Sequence, residues 1–262
     1  MLLLKTLLVS TSGRNVCRYS KDEKKRRRIV GNAIGVACLY AMLMACCIAI
    51  CIGYGSVGLI DAAPAMCALM ICALSFAFTF LKTNGYLFNF KEYDLLMSLP
   101  FEVRTVAACK FLYMYVKSLP WYMSISVAML IGYGRYAHPS ALVYPAWIVL
   151  SLFLPVIPML IAAFLGFLIA KIGAGFKKAN VIQTVLTFIF IIFGLSARFI
   201  VEDLFRNDKV QAALATVSEV TEQAAAYYPP AGWFADAVAR HSIADGLLLI
   251  GASVLLFAAG FH

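Results

Sequence analysis

Long apolar runs separated by shorter polar segments make up most of the chain. A helix needs roughly 20 residues to cross about 30 Å of hydrocarbon, because each residue adds 1.5 Å. Runs of this scale recur along the sequence, and the pattern predicts an all-α integral membrane protein with six transmembrane helices. The predicted spans are residues 29–52, 57–81, 106–131, 141–170, 181–200 and 245–262.

Composition excludes two broad classes of protein. Of the 262 residues, 63% are hydrophobic and 13% are charged, about half the charged share of a soluble domain. The chain is therefore neither a soluble enzyme nor a disordered segment, and the lipid bilayer is its expected surrounding. The net charge of +9 predicts no nucleic-acid partner, because most basic residues flank apolar spans.

The distribution of Lys and Arg predicts the topology. A basic run at residues 24–28 directly precedes the first span, and such residues stay on the cytoplasmic side. Counted by alternate sides of the membrane, 17 Lys and Arg lie on the side of the N-terminus and 5 on the other. We therefore predict a multi-pass protein with a cytoplasmic N-terminus. It divides into a cytoplasmic, amphipathic and basic segment at residues 1–28 and a six-span transmembrane domain at residues 29–262.

The cytoplasmic loop between spans two and three contains a short amphipathic helix. Phe90, Tyr93 and Met97 are spaced i, i+3 and i+7 and share one face, and Pro100 ends the helix. Such a helix can dock into a groove on a soluble ATPase and transmit its motion to the spans; the alternative is an ordinary interfacial helix. The predicted coupling residues are Phe90, Tyr93, Asp94, Leu95, Leu96, Met97, Ser98, Leu99 and Pro100.

A second long loop lies between spans five and six, on the predicted external side. Its Ala-rich part, residues 211–226, predicts one helix. Pro229 and Pro230 end that helix, and the aromatic rings of Trp233 and Phe234 suit the bilayer interface. These four residues form the predicted external interface.

Lys117 is an ionisable residue inside the third predicted span, and Pro120 follows it closely. Charged groups in membrane segments are costly and often functional, so the two residues are candidates for a transport pathway. The alternative is that the Lys117 side chain snorkels to the interface. Kinks in spans three and four are expected at Pro120, Pro145, Pro155 and Pro158.

No segment carries the residues of a known catalytic centre. The sequence has no Walker A, HExxH or Gly-x-Ser-x-Gly segment. The glycine-rich run at residues 53–58 matches the dinucleotide fingerprint. That motif functions only after a β-strand, whereas here the run follows a predicted membrane span, so we expect it to form an external turn. Cys46, Cys47 and Cys51 lie in an apolar helix without a nearby His or carboxylate, which argues against a metal. We predict no catalytic, cofactor-binding or metal-binding residues, no cofactor, and no ATPase site.

Two segments resemble a known family. Residues 92–100, Glu-Tyr-Asp-Leu-Leu-Met-Ser-Leu-Pro, followed by Arg104 and Lys110, resemble the loop between spans two and three of ABC-2-type transporter permeases. The chain is most similar to ABC exporter permeases of Gram-positive bacteria, which share a Trp-Phe-Ala segment like residues 229–235, Pro-Pro-Ala-Gly-Trp-Phe-Ala. Those permeases consist of two six-span halves, so the chain looks like an N-terminal half.

The resemblance implies the membrane-spanning permease subunit of an ATP-binding-cassette exporter in a bacterial plasma membrane. A separate ABC ATPase subunit would hydrolyse the ATP and bind the coupling residues, and a second permease half or a second copy would complete the pathway. Two alternatives stay open. Ionisable residues facing one another in mid-membrane would favour an energy-independent transporter or channel, and paired polar catalytic groups would favour a membrane-embedded enzyme.

Overall fold

The computed structural model describes residues 23–82, 103–173 and 210–261, together with Phe188 and Ile192. These residues are almost entirely helical and include no strand, which confirms the all-α class for this part of the chain. A 3₁₀ turn at Ile60–Ala62 joins the first two helices. The helices are α1 Glu23–Val57, α2 Ala63–Lys82, α3 Val103–Ala137, α4 Val143–Phe153, α5 Val156–Gly173, α6 Val210–Tyr227, α7 Pro229–Ala239 and α8 Ile243–Phe261.

Four helical segments in the described residues are long and apolar enough to cross a membrane. They overlap the first, second, fourth and sixth predicted spans, which agrees with a membrane protein. The four segments are Ile29–Val57, Ile60–Lys82, Val143–Leu168 and Ile243–Gly260.

The other two predicted spans are not among these segments. Residues 106–131 are helical within α3, but polar side chains such as Lys110, Lys117 and Ser118 dilute the hydropathy of that helix. Residues 181–200 lie outside the described residues except for Phe188 and Ile192. The described part therefore supports four spans and does not establish the predicted six.

α1 is longer than predicted at both ends, because it begins in the basic run and continues through most of the glycine run at residues 53–58. The turn begins only at Gly58, whose φ of 77° is accessible to glycine without steric cost. The N–H groups of Gly58 and Leu59 donate to the carbonyls of Gly55 and Tyr54, over 3.4 and 2.9 Å. This is a Schellman C-cap, so the predicted turn is correct in kind and too long in extent.

α2 and α3 form the centre of the bundle. α2 packs against α3, α5, α6 and α7, and α3 also packs against α1 and α4. Most of the buried side chains on α2 are small, which lets neighbouring helix backbones approach closely. The buried residues of α2 are Ala63, Pro64, Ala65, Cys67, Ala68, Ile71, Cys72, Ser75 and Thr79.

The crossing of α1 and α3 depends on two glycines. A Cβ atom on Gly132 would overlap the side chain of Cys51, and a Cβ atom on Gly55 would overlap the ring of Tyr136. The thiol of Cys51 is also 3.4 Å from Met129 Sδ, one turn before Gly132. The absence of a side chain at these two glycines therefore sets the distance between α1 and α3.

The four prolines predicted to cause kinks have different effects. Pro145 and Pro158 lie in the first turns of α4 and α5, where a proline interrupts no helix. α4 ends just before Pro155 and α5 begins just after it, as expected for a residue that has no N–H to donate. α3 remains one helix through Pro120, and the hydroxyl of Ser124 donates to the Pro120 carbonyl over 2.7 Å. The kink at Pro155 is thus confirmed as a helix break, whereas Pro120 does not interrupt α3.

We expect Gly132→Ala to lower the free energy of unfolding by about 1–3 kcal/mol, because the added methyl group overpacks the contact with Cys51. Gly35→Ala on α1 is the matched control, since no atom lies within 4 Å of a Cβ at that position. The control should be neutral or slightly more stable, as alanine favours helix over glycine. Thermal unfolding in detergent micelles measures both variants, and equal melting temperatures would contradict the tight crossing.

Candidate functional site: a polar seam between α3 and α4

Several buried polar side chains lie along α3 and α4, and three of them connect the two helices. Ser118, Tyr122 and Ser126 follow one another at four-residue intervals on α3 and therefore lie near one another on its surface. Trp147 and Ser151 are spaced in the same way on α4. All five are buried, and we call them the polar seam.

Ser126, Trp147 and Ser151 form one hydrogen-bonded network. The indole N–H of Trp147 donates to Ser126 Oγ over 3.1 Å, and the Ser151 hydroxyl donates to the carbonyl of Trp147 over 2.6 Å. The two serine oxygens are 2.6 Å apart. Because Ser151 uses its only proton on the carbonyl, Ser126 is the donor between the two hydroxyls. Each member of the network is thereby satisfied inside the bundle.

Aromatic rings surround this network. The ring of Trp147 is 5.4 Å from that of Tyr133 on α3 and meets the ring of Phe234 on α7 edge-on at 5.3 Å. Phe234 is fully buried, so it lies in the core rather than on the predicted external interface. Aromatic pairs of this geometry add stabilisation beyond the area that they bury, and they fix the position of the indole.

Hydroxyl groups also satisfy backbone carbonyls beside the Pro155 break. Tyr115 OH on α3 donates to the carbonyl of Leu152 over 2.6 Å, and Ser253 Oγ on α8 donates to that of Phe153 over 3.2 Å. A break in a membrane helix is tolerated where neighbouring side chains supply such partners. The break therefore depends on α3 and α8 as well as on proline.

Two lysines lie near Ser118, where α2 ends beside α3. Lys82 Nζ donates to Ser118 Oγ over 3.3 Å, and Lys117 Nζ donates to Tyr113 OH over 3.2 Å. Lys117 is exposed, as is Pro120. The two predicted pathway residues therefore lie on the outer surface of α3, while Ser118 next to them faces the interior.

The predicted external segment continues the helical structure. α6 covers the Ala-rich residues 211–226, and after Tyr228 the chain resumes at Pro229, the first residue of α7. Pro230 is buried and Trp233 is half-buried. Tyr228 is half-buried, and desolvation of its buried hydroxyl raises the pKa of that group above the ordinary range, so the group stays protonated at any physiological pH.

Other predicted site residues cannot be placed. The coupling residues 90–100 lie outside the described part of the chain. Within the part that is described, no group of three or more His, Cys, Asp or Glu side chains forms a candidate metal site.

Sequence reasoning missed the polar seam and Lys82. The pattern of apolar runs assigned no role to the serines within the spans or to Trp147. The available signal was the i, i+4 spacing of Ser118, Tyr122 and Ser126, repeated by Trp147 and Ser151, because a polar series at helical spacing must face a partner inside a bundle.

A family model described as "Putative ATP-binding cassette" matches residues 24–261 of the chain. No curated protein and no solved structure matches. The family match begins in the basic run and extends into α8, so it includes the polar seam and all four apolar segments.

This match corrects the assignment that the loop motif suggested. The motif indicated an ABC-2-type permease, whereas the matching family is described as an ATP-binding cassette. The prediction of a permease subunit served by a separate ATPase is therefore wrong, and so is the prediction that the chain has no ATPase site. The link to ATP-binding-cassette proteins is retained.

Both errors have a physical origin. The loop motif is an amphipathic surface helix with a proline stop, and that pattern suits many membrane proteins. The lack of a Walker A segment was given too much weight, because phosphate groups are also bound by helix N-termini and by basic side chains outside that motif.

We expect Ser126→Ala to lower the free energy of unfolding by about 1–3 kcal/mol, because it leaves the buried N–H of Trp147 without an acceptor. Ser124→Ala, on the same helix, removes a hydroxyl that bonds only within α3 and should change stability by less than about 0.5 kcal/mol. Denaturant unfolding in micelles compares the two. If both variants unfold alike, the network does not stabilise the α3–α4 contact.

Proposed function

The chain belongs to the family described as "Putative ATP-binding cassette", and on that basis we propose that it is an integral membrane component of an ATP-binding cassette transporter. One observation carries the proposal. The residues that match the family include the four helical segments, among those the structure describes, that are long and apolar enough to cross a membrane. The candidate membrane spans therefore lie within the same residues that match the ATP-binding-cassette family.

The outer surface of the bundle supports membrane insertion. In the most apolar window of Ile29–Val57, 11% of the residues are buried within the protein. The helix therefore presents apolar side chains such as Ile34 and Met42 outward, at 60% and 62% exposure. A continuous apolar surface of this length is unusual for a soluble monomer, and hydrocarbon would cover it without loss of hydrogen bonds, since a helix satisfies its own backbone.

The expected orientation places the start of α1 in the cytoplasm, where ATP is available. It follows from the basic run at residues 24–28 and the excess of Lys and Arg on that side. The amino-terminal ends of α1 and α3 then lie on the cytoplasmic side, and the turn at Gly58 lies on the external side.

The proposal is tested by purifying the tagged chain from membranes of cells that express it. The protein should stay in the membrane after an alkaline carbonate wash, because its apolar helices span the bilayer. Material captured through the tag in mild detergent should hydrolyse ATP several-fold faster than material from cells with an untagged chain. Release by carbonate, or equal hydrolysis in both samples, would refute a membrane component of an ATP-driven system.

The orientation is tested with single cysteines in a cysteine-free chain. Arg27 and Glu222 are both exposed, so Arg27→Cys and Glu222→Cys are equally accessible within the protein. An impermeant thiol reagent added to intact cells should label Glu222→Cys and label Arg27→Cys only after the cells are opened. The reverse pattern would show that the N-terminus is external.

A further inference from the structure

Lys82 and Lys117 bring two positive charges together at the end of α2. Lys82 is the last residue of the candidate span Ile60–Lys82, and Lys117 lies next to its hydrogen-bond partner Ser118 on α3. Lys82 Nζ bonds to Ser118 and Lys117 Nζ bonds to Tyr113, so the two ammonium groups lie on adjacent parts of α3. A like-charged pair at the edge of an apolar bundle is unfavourable unless an anion compensates it.

The protein supplies no such anion from the residues described. The salt bridge that forms among them joins Arg240 to Asp236, at a different place in the bundle. Lys82 and Lys117 contact hydroxyls and aromatic faces instead. Lys82 Nζ lies 5.1 Å from the centre of the Phe78 ring, and Lys117 Nζ lies 5.5 Å from that of Tyr113.

These contacts orient the ammonium groups and leave donors for a ligand. An ammonium group has three N–H bonds, and among the described residues each lysine uses one on a neighbouring hydroxyl, of Ser118 or of Tyr113. The remaining N–H bonds can reach a shared acceptor. A phosphate or phosphodiester has several oxygens and can accept from both lysines at once.

The surroundings of the pair indicate an amphiphilic ligand. Leu81 and Val116 directly precede the two lysines, and their side chains are 38% and 39% exposed. Apolar exposure beside a cationic pair suits a molecule with an anionic headgroup and an acyl chain. Basic pockets between membrane helices are a known setting for phospholipid headgroups.

We propose that Lys82 and Lys117 together bind the phosphate group of an anionic phospholipid at the boundary between α2 and α3. The hydroxyls of Ser118 and Tyr113 hold the two ammonium groups in place, and Leu81 and Val116 contact the first part of the acyl chain. This site is independent of the proposed transport function, because it requires only that the bundle lie in a membrane.

The test is a titration of the purified, detergent-solubilised chain with phosphatidylglycerol, with binding followed by native mass spectrometry. Lys82→Gln and Lys117→Gln should each weaken binding about fivefold, and the double variant about 25-fold, as expected for the loss of one or two lysines near an anionic lipid. Glutamine removes the positive charge and keeps a polar side chain that is one atom shorter than that of lysine.

Arg135→Gln is the matched control, since it removes one exposed charge from the same helix, 18 residues from Lys117. It should bind phosphatidylglycerol as the unmodified chain does. Phosphatidylcholine with the same acyl chains should bind at least fivefold more weakly and be insensitive to both lysine substitutions, because its headgroup has no net charge.

Three results would overturn the proposal. They are unchanged phosphatidylglycerol binding by the double variant, equal losses in Arg135→Gln, and displacement of the lipid by an equal concentration of inorganic phosphate, which would identify a soluble anion as the ligand. Lys117 is exposed, so Lys117→Gln should fold normally and provides a decisive result even if a change at Lys82 disturbs the end of α2. Intact folding is checked by the tryptophan emission spectrum, to which Trp121 contributes; its ring packs against Phe78 at 5.8 Å.

Discussion

The need to pair polar groups inside an apolar bundle constrains this structure more than any other interaction. Water is not available in hydrocarbon, so a buried donor or acceptor that lacks a partner costs several kcal/mol. The indole of Trp147 and the carbonyls beside Pro155 meet this requirement through hydroxyls on neighbouring helices. Tyr54 and Tyr228 are exceptions, since their buried hydroxyls lack a hydrogen-bond partner within the described residues, and both lie where the α6–α7 region packs against the rest of the bundle.

Hydrophobic patterning predicted helices well and their boundaries poorly. Long apolar runs identified α1, α2, α4 with α5, and α8, because a helix of about 20 apolar residues is stable in a membrane regardless of its neighbours. The end of α1 was misplaced because glycine favours turns in water, whereas in an apolar setting the backbone keeps its helical hydrogen bonds through Gly55. Likewise α3 remains one helix at Pro120, because the packing of neighbouring helices, and not proline alone, determines whether a helix in a bundle is interrupted.

The candidate site was harder to predict because its chemistry arises from pairs of helices. Ser126 and Ser151 are unremarkable in the sequence, 25 residues apart, and become a network only when α3 and α4 pack together. Lys117 was recognised as unusual, but its partner charge at Lys82 lies on another helix. The biochemical assignment was affected similarly: a surface motif suggested one family, and the match over residues 24–261 identified a different one.

α1 and α3 each contain 35 residues, which corresponds to a length of about 52 Å. They run in the same direction and contact each other near their C-terminal ends, where Gly55 meets Tyr136. A bilayer core of about 30 Å cannot contain them at the tilts usual for membrane helices. Two or three turns of each helix must therefore extend past the lipid on the same side, as a rigid double-helical stalk. Torque applied to that stalk from the aqueous phase would be transmitted to the membrane-embedded part as rotation of the two helices, because no flexible joint interrupts either of them.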